Sequence, residues 1–343
     1  MSASKIKGTL LEFIIRNLLI NSGFTKVKPD GLFIFNQRGL CLINGKGSAH
    51  DADVLMNPPI QIPFSYPTRI NFECKAYNKK IGLTVIRNAL GLRYDLNEFE
   101  IVTRDQIKER QNNRRKILAC DDRQRYNYQI GVASVEDFTK DAFEFAAHNK
   151  IPLMSLRWFL EEATCNLFHQ ITDQYLKQFA KNDIDNLLDY LKGNKNQTAE
   201  FFLNHTPPHI QTILNEFWSF QSKVKVGLLE SGDLIFLMNN NSALSLDNSP
   251  QIMSAQINFI NNSEDRTKWN LNLNNNLKFY FYLPKSIVSK WETQSFDDKT
   301  AIDLKEKFFG RFFIFFKTSP DNLPFKIINI DTKWLDNLRN SND

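Results

Sequence analysis

The sequence predicts an α/β N-terminal part with a mixed central sheet flanked by helices. A helical middle segment and a β-leaning C-terminal region follow. Three observations carry this. Residues 1–156 alternate short apolar runs with amphipathic stretches, the pattern of strands and helices layered on one core. Residues 157–222 carry mainly helical periodicity, interrupted at Gly193 and Pro207-Pro208. Residues 223–343 hold six apolar runs: "KVKVGLLE", "DLIFLM", "AQINFI", "LKFYFYL", "FFIFFK" and "FKIINI". Asn-rich turns separate several of them.

Taken in order, residues 6–22 place Leu10, Leu11, Phe13, Ile14, Ile15, Leu18 and Leu19 on one broad apolar face, and Gly23 ends the helix. "GLFIFN" (31–36) and "GLCLIN" (39–44) predict two strands with a turn at Gln37–Gly39. "GKGSAHDADVLM" (45–56) is a glycine-bearing loop running into a strand, and the Pro-rich stretch 57–67 is unsuited to a central strand. "RINFECKAY" (69–77) is the next strand, and 83–98 read as a helix. "YQIGVASVEDF" (128–138) predicts a buried strand. Thr139 is an N-cap for an amphipathic helix over 139–150, and "IPLMSL" (151–156) is a further short strand. "FFGRFFIFF" (308–316) reads as a buried strand. The domain organisation expected is 1–160, a helical linker or subdomain over 161–222, and a β-rich recognition or assembly domain over 223–343.

Composition narrows the function classes. The 343 residues are 42% hydrophobic and 24% charged, which is a globular balance. A net charge of +5 is compatible with a nucleic-acid partner without requiring one. Cys41, Cys74, Cys120 and Cys165 form no CxxC pair, so neither a zinc site nor a disulfide framework is expected, and reduced thiols in a cytoplasmic protein fit best. No run reaches the roughly 18 apolar residues of a membrane span, so no membrane partner is expected.

The chemistry is expected in "FECKAY". Phe72, Cys74 and Ala76 suit a buried strand face, which puts Glu73 and Lys75 together on the other. Alone, Glu73-x-Lys75 reads better as a solvated face with a surface ion pair, since such a pattern occurs by chance in most proteins. Asp53 changes the balance, because it abuts the apolar strand Val54-Leu55-Met56 and can meet Glu73 at one end of neighbouring strands. Two such carboxylates can hold Mg²⁺, with the backbone carbonyl of Cys74 as a further oxygen. Lys75 can orient or help deprotonate a water and stabilise charge on a phosphate. Glu12, in the first helix, can anchor a water or contribute to a second metal. Asp51 is a rival to Asp53 and would share its face.

This ordered set resembles the PD-(D/E)xK nuclease superfamily, the restriction-endonuclease-like fold, and is closest to Mrr-like restriction enzymes. The pattern of a helix Glu, a Gly-containing loop, a strand Asp and (E/Q)xK reads here as Glu12, "GKGSAHDADVLM" with Asp53, and Glu73 with Lys75. "GVASVEDF", "TKDAFEFAAHNK" and "IPLMSL" resemble the closing strand–helix–strand. The likeness covers about residues 6–156, and Ala52 stands where the superfamily name has Pro. It implies a Mg²⁺-dependent DNA endonuclease, with Mn²⁺ able to substitute, working in restriction or anti-phage defence. It also implies a homodimer or larger assembly for cutting both strands, and a defence-system partner protein. The alternatives are a silent nucleic-acid-binding or assembly module with the same fold, and a structure-selective or RNA-cleaving enzyme.

Further DNA contacts are expected at Lys46, flanked by Gly45 and Gly47, and at His50. Residues 104–125 hold eight Lys/Arg against four acids, with Arg110, Arg114, Arg115 and Lys116 as the candidate phosphate contacts. Arg87, Asn88 and Arg93 follow the strand motif on the next helix. No zinc site is expected at His205 and His209, because Pro207 and Pro208 separate them.

Overall fold

A computed structural model of the chain describes residues 2–61, 65–98, 125–193, 205–239, 246, 249–259, 268–273, 277–319 and 322–342. Helix α1 (Ala3–Asn21) opens it and buries Ile6, Leu10, Leu11, Ile14, Ile15, Leu18 and Leu19. These recur every three to four residues, so they form one stripe against the sheet. Gly23 then turns the chain with φ +88°, and a Cβ there would lie 2.9 Å from the Phe316 carbonyl oxygen. Both the conformation and the closeness of that backbone call for glycine.

A mixed five-stranded sheet follows, as the sequence predicts. Its order is β1 (Thr25–Lys26), β5 (Val54–Asn57), β6 (Thr68–Lys75), β7 (Asn127–Ser134) and β8 (Leu153–Ser155). The pairs β1–β5 and β5–β6 are antiparallel; β6–β7 and β7–β8 are parallel. A separate antiparallel sheet holds β2 (Ile34–Gln37), β3 (Leu40–Asn44) and β4 (Ala49–Asp51). Gln37 pairs with Leu40, and the two residues between them, Arg38 and Gly39, have φ +52° and +76°. Positive φ at both central positions matches the right-handed twist of a two-residue hairpin.

Each face of the five-stranded sheet has its own cover. Helix α1 packs on Val54, Met56, Ile70, Phe72, Cys74, Ala133 and Met154. Helices α2 (Leu83–Asn97) and α3 (Lys140–His148) pack on Leu55, Ile130 and Val132. Strand β6 therefore sends Ile70, Phe72 and Cys74 to α1 and the alternate residues Asn71, Glu73 and Lys75 to the other side. Thr139 caps α3 as predicted, its hydroxyl accepting the Ala142 N–H at 3.4 Å.

The middle segment is helical: α4 (Glu162–Gln170), α5 (Asp173–Leu176), α6 (Lys181–Lys192) and α7 (Pro208–Phe220). Gly193 ends α6 in the left-handed conformation at φ +79°, and Pro208 opens α7. These helices share one core with α1, and that core continues to Val224, Val226, Phe236, Met238 and Phe315.

Those last residues belong to a closed seven-stranded barrel. It contains β9 (Val224–Leu229), β10 (Leu234–Asn239), β11 (Ile252–Phe259), β12 (Lys268–Leu273), β13 (Lys278–Tyr282), β14 (Arg311–Phe315) and β15 (Phe325–Ile330). The pairing is antiparallel except for β11–β15. Three helices accompany it: α8 (Lys285–Glu292), α9 (Asp298–Phe309) and α10 (Thr332–Asn342). Helices α8 and α9 add Ile287, Trp291, Leu304 and Phe309 to a core with Trp269, Leu271 and Phe281. The reading of 308–316 as one strand is corrected: Phe308 and Phe309 close α9, and the strand begins at Arg311. Among the described residues no helix is long and apolar enough to cross a membrane.

Candidate functional site

Strands β5 and β6 bring the predicted residues together. Val54 pairs with Phe72, the last register pair of this ladder. One residue further, Asp53 stands across from Glu73, and antiparallel partners point their side chains to the same side. The Asp53 carboxylate turns onto β6, its Oδ2 accepting the Cys74 N–H at 2.7 Å. Lys75 Nζ donates to Glu73 Oε2 at 2.9 Å. Cys74 is buried facing the α1 core, as the alternation predicts. Burial pushes its thiol well above the ordinary range, with Asp53 and Glu12 adding to it. A thiol so held is no nucleophile.

Asp53 stands on the wall of a cleft of about 570 Å³, whose lining does not include Glu73 or Lys75. Helix α1 lines it with Gly8, Thr9, Glu12 and Arg16, the β2–β3 hairpin with Gly39, Leu40 and Cys41, and helix α6 with Lys192. Asp51 and Asp53 complete the wall. Among the described residues the lining carries three acids, Glu12, Asp51 and Asp53, and three bases, Lys5, Arg16 and Lys192. Burial, and then the Glu73 carboxylate, push the Asp53 carboxyl up to about 7, against the hydrogen bond from Cys74. Burial raises Glu12, with Arg16 opposing and Asp51 assisting. Partial burial and then Glu73 overcome a backbone hydrogen bond to raise Asp51. Lys75 goes the other way: burial works against its ammonium, but Glu73 beside it, with help from Asp53, holds it above the usual lysine range.

Whether a divalent cation fits depends on the donors. Among the described residues no group of three or more His, Cys, Asp and Glu side chains is gathered for a metal ion. The available set is Asp53, Glu73 and the Cys74 carbonyl. A strand residue's N–H and C=O point to the same side, so that carbonyl shares the direction of the N–H that Asp53 holds. Mg²⁺ characteristically takes one or two carboxylates and keeps several waters, and a cation would relieve the mutual repulsion of Asp53 and Glu73. The donor chemistry therefore fits Mg²⁺.

Other expected residues lie elsewhere. His50 is next to Asp51 in β4, so the two side chains point to opposite faces. His50 Nε2 lies 2.6 Å from Asp95 Oδ2, near the end of α2. The Gly45-Lys46-Gly47 loop closes on the same carboxylate, with the Gly47 N–H donating to Asp95 Oδ1 at 2.7 Å. A Cβ at Gly45 would stand 2.0 Å from Asp95 Oδ2. The glycines thus admit a carboxylate of the chain itself at the place expected for a phosphate, and Lys46 Nζ lies 3.9 Å from Glu98. Arg93 donates to the Asn149 carbonyl at 2.7 Å, and Arg87 stands over the Phe145 ring. His205 lies 3.2 Å from Asp183, while His209 stacks on Tyr175. Arg110, Arg114, Arg115 and Lys116 lie outside the described residues.

Sequence reasoning missed Arg16, Lys192 and Asn71. Arg16 Nη2 donates to the Leu191 carbonyl, and Lys192 Nζ to the Gly39 carbonyl at 3.4 Å. Together they fix the end of α6 against α1 and the hairpin. Asn71 precedes Glu73 on the same face of β6; it is fully buried, and neither side-chain polar atom has a hydrogen-bond partner. An unpaired buried amide is costly, and its place in the row Asn71–Glu73–Lys75 is the signal that could have singled it out.

No family model matches the chain, and no curated protein matches it. Among solved structures the chain is similar to the crystal structure of a protein of unknown function, AF1548. The two share 15% sequence identity over 54% of this chain and 79% of that one, with a TM-score of 0.32. A likeness at that level carries no argument about what this chain does.

Proposed function

We propose that this chain is a metal-dependent nuclease that hydrolyses phosphodiester bonds of DNA, with Asp53, Glu73 and Lys75 at its centre. The observation that carries the reading is that Asp53, on the wall of a cleft, accepts the Cys74 N–H at 2.7 Å between Glu73 and Lys75, which are themselves paired at 2.9 Å. Asp53, Glu73 and the Cys74 carbonyl would hold the cation. When bound, Mg²⁺ or Mn²⁺ would polarise the scissile phosphate and acidify a water. Lys75, held above the usual lysine range, keeps its proton and acts as a cation: it orients the attacking water and stabilises charge on the phosphate. It is poorly suited to act as the base. Glu12 and Asp51 supply acceptors for waters in the cleft. Arg16 and Lys192 offer positive charge to the phosphates on either side of the bond being cut.

Cutting both strands of a duplex takes two such sites, so the working form is a dimer or larger assembly. Restriction or anti-phage defence is the setting this reading suggests. A silent nucleic-acid-binding module is the second reading. It is favoured by the Glu73–Lys75 pair, which satisfies Glu73 without a metal, and by the lack of a third gathered ligand among the described residues.

The test incubates purified protein with plasmid DNA, and in parallel with single-stranded RNA, in Mg²⁺ or Mn²⁺. Asp53→Ala, Glu73→Ala and Lys75→Ala are run beside the wild type. The nuclease reading expects metal-dependent cleavage, reduced about 10²–10³-fold or more in each variant. Cleavage equal in all variants, or none with any substrate and either metal, favours the silent module. Cleavage of RNA alone moves the substrate from DNA to RNA.

A further inference from the structure

Strand β6 ends at Lys75, and the chain then runs through Ala76 and the exposed residues Tyr77, Asn78, Lys79 and Lys80 before it re-enters the core at Ile81. This short loop is tied at three points. At its start, Ser134 Oγ donates to the Lys75 carbonyl at 3.1 Å, in the last register pair of β6 with β7. At its end, the Ile81 N–H donates to the Asp137 carbonyl at 2.8 Å and the Thr139 N–H to the Ile81 carbonyl at 2.9 Å. In its middle, Lys7 Nζ of α1 donates to Asn78 Oδ1 at 3.0 Å. Lys7 is the neighbour of Gly8, which lines the cleft with Lys5. The loop therefore lies in a fixed place beside both Lys75 and the α1 wall of the cleft.

Tyr77 is the unusual residue in it. Three of the nine tyrosines are exposed: Tyr66, Tyr77 and Tyr94. Arg125 stands over the Tyr66 ring and Arg93 beside that of Tyr94. Among the described residues the Tyr77 ring, 47% exposed, meets no other ring or cation, and its hydroxyl has no hydrogen-bond partner. An aromatic ring gives up little by being covered and stays exposed here on a braced loop. Tyr77 and Lys75 are two residues apart, so their Cα atoms lie within about 7 Å. Burial works against the Lys75 ammonium and Glu73 supports it most; Asp53 and Tyr77 add to that support, which places the phenol within electrostatic reach of Lys75.

We infer that this loop holds the nucleotide next to the bond being cut, with the Tyr77 ring stacked on its base and Lys79 and Lys80 on the flanking phosphates. The inference rests on the nuclease reading, in which Lys75 meets the scissile phosphate. A phosphate on Lys75 carries its sugar and base over the same short range that separates Lys75 from Tyr77. Stacking on tyrosine accepts any base, since every base has a π-face. In a perfect duplex both faces of each base are already stacked, so the ring selects a nucleotide that is unpaired or splayed out. The substrate class is accordingly nucleic acid with single-stranded character at the cut.

The experiment uses the full chain in EDTA with oligonucleotides carrying 2-aminopurine, whose fluorescence falls on stacking. The ligands are a single strand, a perfect duplex and a duplex with one unpaired 2-aminopurine, each across a salt series. The single strand and the unpaired duplex should bind more tightly than the perfect duplex and be quenched. Tyr77→Ala should weaken both about tenfold or more and remove the quench, with an unchanged thermal midpoint; Tyr77→Phe should keep both. Lys79→Ala with Lys80→Ala should weaken all three ligands and flatten the salt dependence by one to two phosphate contacts, with the quench kept. Tyr94→Ala should bind as wild type. Affinity and quench in Tyr77→Ala equal to wild type, tightest binding of the perfect duplex, or no binding of any ligand at low salt overturns the inference. Cleavage in Mg²⁺ or Mn²⁺ separates it from the reading beneath it. Tyr77-dependent binding and quench without cleavage by the wild type sink the nuclease reading and leave the loop as a base-stacking site. Cleavage that Asp53→Ala abolishes and Tyr77→Ala leaves intact, with binding and quench unaltered in the latter, sinks the loop alone.

Discussion

Strand β6 carries Arg69, Glu73 and Lys75 within eight residues, whereas the seven barrel strands carry no acid at all. In the first sheet the charges converge. Glu73 sits between Lys75 and Asp53, and burial among like charges pushes Asp53 up to about 7. In the barrel the charges are dispersed: Lys225, Lys268, Lys278 and Arg311 stand on four different strands, and Lys326 is buried and donates to the Ser249 carbonyl at 2.7 Å. Converging charge is costly in the free protein and makes sense where a cation or a reacting phosphate relieves it. Dispersed single-sign charge costs little. The two sheets thus differ in kind: one gathers opposite charges at one place, the other keeps its charges apart.

The largest expected effect isolates chemistry from fold. Glu73→Gln keeps the side chain's size and a hydrogen-bonding head, so it should lower metal-dependent cleavage by about 10²–10³-fold with thermal stability almost unchanged. A parallel loss of stability would mean that Glu73 serves the fold. Two glycines compare the sheets as packed objects. Gly131 lies opposite Phe72 in the first sheet, and a Cβ there would be 2.5 Å from the ring; Gly227 lies opposite Ile235 in the barrel, at 2.6 Å. The phenyl ring is fully buried and rigid, while an isoleucine can change rotamer. Gly131→Ala should therefore cost about 3 kcal/mol and Gly227→Ala about 1 kcal/mol, read from urea midpoints.

A smaller effect concerns pH. An Asp carboxyl held near 7 in the fold and near its ordinary value when unfolded keeps a proton that the unfolded chain has already released. Metal-free stability should then fall as pH rises from about 4 to 7 and stay reduced above that. Asp53→Asn should remove the fall and raise stability at pH 8 by about 2 kcal/mol, measured by denaturation in EDTA. The smallest effect is at His50. His50→Ala should cost less than about 1 kcal/mol and leave cleavage intact, because its partner is Asp95, away from the cleft.

These differences track what local pattern can reveal. The alternation in "FECKAY" and the apolar run after Asp53 fixed two strand faces, and facing strands with those faces bring Asp53 to Glu73. Helix α1 and the strand–helix–strand over 127–155 were legible for the same reason: their apolar periods are regular and their caps are local. Arg16 and Lys192 were not, because α6 reaches the cleft only through packing 175 residues along the chain from Arg16. The glycine loop misled because the carboxylate that fills it, Asp95, comes 48 residues after Gly47. In the barrel, β12 was overlooked because its outward positions are Asn270 and Asn272, a residue type depleted in strands. Closure through β9–β14 and the parallel β11–β15 pair joins segments more than 70 residues apart. No local signal encodes such pairings.

The central claim is that Asp53 and Glu73 share one divalent cation. Titration of the metal-free protein with Mn²⁺, followed by electron paramagnetic resonance, tests it without any assumption about substrate. The account predicts one bound Mn²⁺ per chain, displaced by excess Mg²⁺ and lost in both Asp53→Asn and Glu73→Gln. No bound Mn²⁺ in the wild type, or binding unchanged in the two variants, would contradict it.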